Sequence, residues 1–409
     1  MTSTTITPAA STDEQAVRRK RLSRPVAFAA IAAVFVTFTA ASSAPSPLYV
    51  VYQELWGFSA STLTAVFAVY VVGLIAALLV LGALSDHIGR RPVLGAAIAL
   101  EIVALVLFLA AGDVPVLLVA RFLQGIATGA ALTTLGAALV DLNPPHAPGR
   151  AGLLNSVVPP AGLAIGSLGT GALVQFAPGP THLVYALLLV GMALAAVVVL
   201  LMPETSSRRP GGRSSLIPKL GVPARLRGAV LALVPIIVAS WALGGLYLAL
   251  GPSVAVGVFG LSNHLIGGLV VTLLCGTGAV TAFALRTWPT PRVLTIAGAL
   301  LTVGTAVTLA GVLTESVVLG AVGTVLAGIG FGASALASFG TIALLAAPHE
   351  RGELFAVALT IAYVAFSLPA VIAGFAATSV GLHTTAVVYS TVVVVLGVAA
   401  LAAQRLRRT

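Results

Sequence analysis

Apolar residues run along this chain in long stretches, separated by short polar connectors in which the charged residues collect. In the first half such stretches begin near Val26, Leu63, Val93, Val114, Leu153 and Leu183, and in the second near Ala229, Leu265, Val293, Val317, Leu354 and Thr384. Each is long enough to cross about 30 Å of hydrocarbon, which takes about 20 helical residues. They are far too long for strands, and an isolated strand cannot satisfy its backbone in lipid. The pattern predicts an all-α membrane protein with twelve transmembrane helices.

Charge tests that count independently. With the amino terminus in the cytoplasm, every Lys and Arg except Arg121 falls in a tail or an inner connector, and none in an outer one. One missed or invented span would invert all later loops and destroy the separation, so an even count with both termini cytoplasmic is expected. The first stretch follows Arg18, Arg19, Lys20, Arg21 and Arg24 and passes small residues at Ala41 to Ala44, as a secretory signal would. Its length of about 23 residues and the spans after it make it a retained signal anchor.

Composition agrees: 59% of residues are hydrophobic, 8% are charged and the mean hydropathy is +1.10. A soluble domain carries about 25% charged residues, so a water-soluble fold is excluded. The excess of 21 basic over 11 acidic residues would suit phosphate binding if it were clustered. Its place in the connectors assigns it to membrane orientation instead, and no nucleic-acid partner is expected. The single Cys275 permits no internal disulfide or thiolate metal site, and the six histidines show no ligand spacing. No metal, no cofactor and no enzymatic activity are expected, because no nucleophile–base pair or phosphate loop stands outside the apolar runs.

The largest inner connector, Glu204 to Arg227, holds Arg208, Arg209, Arg213, Lys219, Arg225 and Arg227 among Gly, Pro and Ser residues. It divides the chain into a polar tail (1–24, expected to be disordered), a six-helix bundle (25–203), a basic linker (204–228), a second bundle (229–403) and a basic tail (404–409). The halves echo each other. Gly125-Ile126-Ala127-Thr128-Gly129-Ala130 answers Gly328-Ile329-Gly330-Phe331-Gly332-Ala333, and Pro145-His146 answers Pro348-His349, both offset by 203 residues. Such a parallel repeat occurs in transporters that rock two bundles about a central site.

The most specific segment is Gly82-Ala83-Leu84-Ser85-Asp86-His87-Ile88-Gly89-Arg90-Arg91-Pro92, between the second and third spans. Gly82 permits close helix approach, Asp86 is expected to end the second helix, Gly89 lets the chain reverse and Pro92 suits a first helical turn. A carboxylate at a helix carboxyl end wants a cation such as Arg90 or another helix's amino terminus. This segment resembles the signature loop G-x-L-[AS]-D-[RK]-x-G-R-[RK] of the major facilitator superfamily, with His87 replacing the expected basic residue. The resemblance implies two six-helix bundles working by alternating access on a small molecule, as a monomer in a bacterial inner membrane. It gives Gly82, Asp86, Gly89, Arg90 and Arg91 a gating role, with Asp86 latching the bundles on the cytoplasmic side. The corresponding second-half loop, Arg286 to Arg292, has no carboxylate, so the latch is expected to be one-sided.

Two charges lie inside spans. Arg121 begins Arg121-Phe122-Leu123-Gln124-Gly125, which resembles the family's R-x-x-Q-G element associated with proton coupling. A central arginine costs roughly 2.5 to 3.5 kcal/mol on insertion scales, so it should face the bundle interior unless it snorkels to the nearby outer boundary. Glu101 lies about eight residues inside the third span and is a candidate proton carrier or a structurally satisfied carboxyl. On the fifth span, Gly162, Gly166 and Gly171 partly match the antiporter motif, with Ser167 and Thr170 at positions the motif gives to Pro and Gly; the spacing also serves close helix packing. Candidates for a central cavity are Gln124, Asn155, Ser240, Trp241, Tyr247, Ser338 and Tyr363. Together the residues and the resemblance, closest to bacterial drug/proton antiporters, imply a secondary active transporter exporting small amphipathic molecules with protons. A proton-coupled uptake symporter or facilitator for a sugar or organic acid is the alternative, and a non-transporting sensor is a distant third.

Overall fold

The computed structural model describes residues 21–147, 149–206, 221–261, 263–347 and 350–406. The tail expected to be disordered lies mostly outside the described residues, as do the linker residues Arg208, Arg209, Arg213 and Lys219, and Pro348 and His349 of the second-half echo. Among the described residues twelve helices are long and apolar enough to cross a membrane, and there are no strands. The first span is α1 (Arg24–Ser43) continued by α2 (Pro45–Trp56). Pro45 and Pro47 remove two N–H donors at this junction, so the helix breaks there without leaving the span. The second and third spans are α3 (Ala60–Leu81) and α5 (Arg90–Leu109), joined by the five-residue α4 (Leu84–Ile88). Then come α6 (Val114–Leu142), α7 (Arg150–Phe176), α8 (Pro180–Leu201), α9 (Arg227–Ala249) with its extension α10 (Gly251–Gly257), α11 (His264–Ala284), α12 (Thr290–Leu313), α13 (Val317–Leu345), α14 (Arg351–Val380) and α15 (Leu382–Leu406).

The repeat read from sequence is structural. α6 and α13 are each 29 residues long. Their caps also correspond: Asp113 accepts from the Val116 N–H at 3.0 Å, and Ser316, 203 residues on, from the Leu319 N–H at 3.4 Å. Gly125 and Gly129 of α6 press on the α3 backbone, where a Cβ would stand 2.0 Å from Tyr70 O and 2.5 Å from Leu74 O. Gly332 of α13 presses on α11 in the same way, 2.0 Å from Gly278 O. Small residues let backbones meet where lipid provides no hydrophobic drive between helices.

Helices α1, α3, α5, α6, α7 and α8 pack as one bundle, and α9 with α11 to α15 as the other; α7 against α11 and α3 against α14 join them. The joining contacts lie from mid-membrane toward the end away from the basic connectors. There Ser46 donates to Leu248 O at 2.5 Å, the His264 N–H donates to Gln175 Oε1 at 3.0 Å, and a Cβ on Gly171 would lie 3.1 Å from Gly268. At the basic end the ion pairs among the described residues lie inside one bundle: Arg90 with Asp86 and Asp141 in the first, Arg225 with Glu350 in the second. The bundles are thus clasped at one end and held separately at the other.

The outer surface is apolar side chain, including Val72, Leu187, Leu194, Phe375 and Val395, all more than half exposed. No water-soluble fold presents so continuous a hydrophobic belt, which is lipid-facing surface.

Candidate functional site

The two charges expected inside spans meet. Glu101 of α5 is fully buried, and its Oε1 accepts from Gln124 Nε2 of α6 at 3.0 Å. Gln124 Nε2 also donates to Ala41 O at 3.1 Å, while its Oε1 accepts from Arg121 Nη1 at 2.6 Å. Arg121 Nη1 further donates to Ser42 O at 3.2 Å, and the guanidinium lies over the Tyr70 ring, 4.3 Å from its centre. With 2% exposure Arg121 does not snorkel. A desolvated arginine over an aromatic face gains about 2 kcal/mol or more, which offsets part of its burial. Arg121 and Gln124 share a face because they are three residues apart on α6. Ala41 O is free to accept because its helical donor four residues on would be Pro45, which has no N–H.

The network is incompletely satisfied. Among the described residues, Glu101 Oε2, Arg121 Nε, Tyr49 Oη and Thr128 Oγ1 are buried with no hydrogen-bond partner. Such orphans are costly in a low-dielectric interior and mark a polar site with spare capacity for a proton or water.

Beside the network, aromatic rings cross the bundle interface. Phe67 of α3 meets Phe366 of α14 at 5.1 Å between centres, and Trp241 of α9 packs edge-on to Tyr363 at 4.9 Å and to Phe366 at 5.9 Å. Phe67 and Tyr70 are three apart on α3, so one face carries both the ring that crosses the interface and the ring under Arg121. Trp241 and Tyr363 are therefore the cavity candidates that lie beside the bundle interface. Gln124 belongs to the charge network. Asn155 Nδ2 donates to Gly136 O at 3.3 Å, tying α7 to α6. Ser240 accepts from Ser334 at 2.9 Å inside the second bundle, and Ser338 is buried with no partner.

Tyr247 lies elsewhere. It pairs with Thr324 at 2.7 Å and lines a cavity of about 220 Å³ within the second bundle, with apolar walls such as Leu243, Val270 and Phe259. Thr324 is the repeat equivalent of Arg121, 203 residues on. A threonine cannot fill the volume that the arginine and its partners occupy in the first bundle, so space is left there.

The fifth-span glycines divide by partner. A Cβ on Gly162 would stand 1.8 Å from Thr39 Oγ1, and one on Gly166 2.1 Å from Ala40 O, so both seat α7 on α1 within one bundle. Gly171 meets Gly268 across the interface.

The signature loop differs from expectation in two respects. Asp86 does not end the second helix: α3 stops at Leu81, and Asp86 sits in the first turn of α4. Gly82 makes no tight contact with another helix, its nearest cross-helix atom being Thr133 Cγ2 at 3.9 Å from a built Cβ. Gly82 and Ala83 instead form a turn that separates α3 from α4. Gly89 does reverse the chain, with φ 112°, a conformation that favours glycine. Arg90 is the hub, with Nη2 2.6 Å from Asp86 Oδ1, Nε 3.1 Å from Asp141 Oδ2 and Nη1 2.5 Å from Ser85 Oγ. Arg91 donates to Val199 O and Leu200 O at the end of α8.

Glu204, not singled out from sequence, completes this end. It accepts from the Arg90 N–H at 2.8 Å, the Arg91 N–H at 3.2 Å, the Thr205 N–H at 3.0 Å and the Ser206 N–H at 3.1 Å. Burial alone would raise its pKa, but these N–H groups outweigh burial and hold the carboxyl below the usual glutamate range. The linker thereby starts as a cap on α5. An acid just after an apolar stretch, among basic connectors, was the available signal.

Among solved structures, a bacterial homologue of the human lysosomal transporter Spinster, in its inward-facing unoccupied conformation, superposes with a TM-score of 0.74 at 14% identity, covering 93% of this chain and 97% of that one. The inward-open xylose transporter XylE from E. coli gives 0.72 at 13% identity over 92% and 96%, and the human organic anion transporter TETRAN 0.67 at 16% over 93% and 100%. At these identities the likeness concerns the fold. The MFS-type transporter paaT of Penicillium rubens is 27% identical over 180 residues, 44% of this chain but 32% of that protein, so the chain matches about a third of that relative's length. The family model of the Major Facilitator Superfamily matches residues 27–368. With twelve apolar spans, a bundle repeat and the signature loop agreeing with that match, the chain belongs to the Major Facilitator Superfamily and is a multi-pass membrane transporter.

Proposed function

We propose that this transporter is a proton-coupled exporter of small amphipathic molecules, with its basic end facing the cytoplasm of a bacterial cell. The supporting observation is the buried Glu101–Gln124–Arg121 network beside an aromatic interface between the bundles. Neutral Glu101 keeps the bond that Oε1 accepts from Gln124 and leaves one O–H at Oε2 to be satisfied. Loss of its proton leaves a negative charge at full burial, and the unpartnered Arg121 Nε is the nearest reserve of positive charge. Because Arg121 and Gln124 both hold carbonyls at the α1–α2 break, rearrangement on deprotonation pulls on that break and changes how α1 meets α7. Proton occupancy and bundle orientation are linked in this reading through one set of hydrogen bonds.

The aromatic cluster of Trp241, Tyr363 and Phe366 offers π faces and little hydrogen bonding, which suits an amphipathic solute better than a polyhydroxylated one. Asp86, Arg90 and Arg91 act as the gate at the basic end: in the clasped-outside state they bind within their own bundle, and the opposite state brings Asp86 toward the second bundle. One bundle pair in a single chain suffices, so the working unit is a monomer. Expression in a drug-sensitive host tests the reading: export predicts raised resistance to some amphipathic compounds in a panel and lowered cell content of them. No change across a broad panel counts against export.

A further inference from the structure

A cavity of about 510 Å³ opens at the basic end between α5 and α8, lined by Arg21, Arg91, Pro92, Gly95, Leu200 and Glu204 among others. The proposed transport path does not use it, because α5 and α8 pack on each other on the side of the first bundle away from α9 to α15. Its walls change character with depth. Leu200 is 62% exposed and a Cβ on Gly95 would meet nothing, so toward the membrane the site is an open apolar groove. At the rim the character is cationic. The Leu22 N–H donates to Leu201 O at 2.9 Å, which pins the start of the described chain to the end of α8 and holds Arg21 over the cavity. Arg21 is exposed and, among the described residues, has no hydrogen-bond or ion-pair partner. Arg91 faces it with Nε and Nη2 on the two α8 carbonyls. Glu204 adds one negative charge to the lining, held against four backbone N–H groups, so Arg21 and Arg91 leave the site with a net excess of one positive charge.

We infer that this cavity binds an anionic glycerophospholipid, its phosphate between Arg21 and Arg91 and an acyl chain along the Gly95–Leu200 groove. Two guanidinium groups above an apolar wall at the membrane boundary match the amphipathic outline of such a lipid, and basic pockets between helices recognise anionic headgroups in this way. The bound lipid bridges the amino-terminal segment, α5 and α8, and therefore steadies the segment that carries the signature loop.

Native mass spectrometry of the purified full chain tests this with phosphatidylglycerol and phosphatidylcholine added in equal amounts. Retention of phosphatidylglycerol several-fold above phosphatidylcholine is expected. Arg21→Ala should reduce that retention about fivefold, the factor associated with one basic residue at an anionic surface, whereas Arg286→Ala, which removes the same charge from the second bundle, should leave it unchanged. Equal retention of the two lipids, or equal loss in the two variants, overturns the site. Displacement of the lipid by millimolar inorganic phosphate overturns it in favour of a soluble anion. A destabilised Arg21→Ala protein would show reduced retention of both lipids, so selective loss of phosphatidylglycerol is the supporting result.

Discussion

Glu101→Gln separates a proton carrier from a structural carboxyl with little change of shape. Glu101 Oε1 accepts from Gln124 at 3.0 Å and Oε2 has no partner; a glutamine can keep the first contact through its carbonyl and place its amide where Oε2 stood. A neutral hydrogen bond contributes about 1 kcal/mol and a charged one about 1.5 to 3. The variant should therefore lose at most about 1 to 2 kcal/mol, and nearly nothing if Glu101 is neutral in the folded state, so expression and thermal unfolding should stay close to wild type. Function should change far more. One proton exchanged per substrate across a gradient of one pH unit supports a concentration ratio of about tenfold. In proteoliposomes loaded with a substrate from the resistance screen, wild type should approach that ratio. Glu101→Gln, a mimic of the permanently protonated state, should collapse it to about one while retaining exchange of labelled for unlabelled substrate. Uphill accumulation by the variant at the wild-type level would refute the assignment and leave the carrier to Asp86 or Asp141 at the basic end.

Three further outcomes are expected. Cysteines placed at Ser61 and Gly179 should react with an impermeant thiol reagent from outside intact cells, and one at Ser206 should not; the reverse pattern would invert the orientation drawn from the basic connectors. Asp86→Asn should change stability by less than about 1 kcal/mol, because the Asp86 side chain is 46% exposed and Arg90 keeps Asp141 and Ser85; transport should nevertheless fall, and unaltered transport would remove Asp86 from the gate. The Glu204 cap has a lowered pKa, so its stabilisation is fully present above the ordinary glutamate range near pH 4.5 and is lost as pH falls through the lower folded value. Hydrogen exchange at the Arg90 and Arg91 amides, compared with Glu204→Gln at matched pH, should show protection at pH 6 that the variant lacks and that wild type loses only below the ordinary glutamate range; equal protection in both would contradict the cap.

Much of this architecture is legible because lipid leaves the backbone few options: an apolar run of sufficient length must be a helix, and the placement of Lys and Arg fixes the parity of the count. The 203-residue echo was readable as glycines because small residues set how closely α6 meets α3 and α13 meets α11. What was not legible depends on which side of a helix faces which neighbour. Glu101 and Arg121 stood out as isolated charges, but their connection through Gln124 required the crossing of α5 and α6. Tyr247 was grouped with Trp241 and Tyr363 as an aromatic residue at middle depth, yet it faces Thr324 inside its own bundle. The end of α3 was placed at Asp86 because nothing in Gly82-Ala83 announces that the helix stops and restarts.

The central claim is that substrate leaves as protons enter, and inside-out vesicles measure both at once. Vesicles energised to an acidic interior and carrying a pH-sensitive dye should take up substrate on its addition while their pH gradient falls, with the two movements opposite in direction and proportional in amount. Glu101→Gln vesicles should show neither uphill accumulation of substrate nor a fall in the pH gradient. Substrate and protons moving in the same direction would establish an uptake symporter, and substrate movement with no change in the gradient would establish a facilitator; either result contradicts the account.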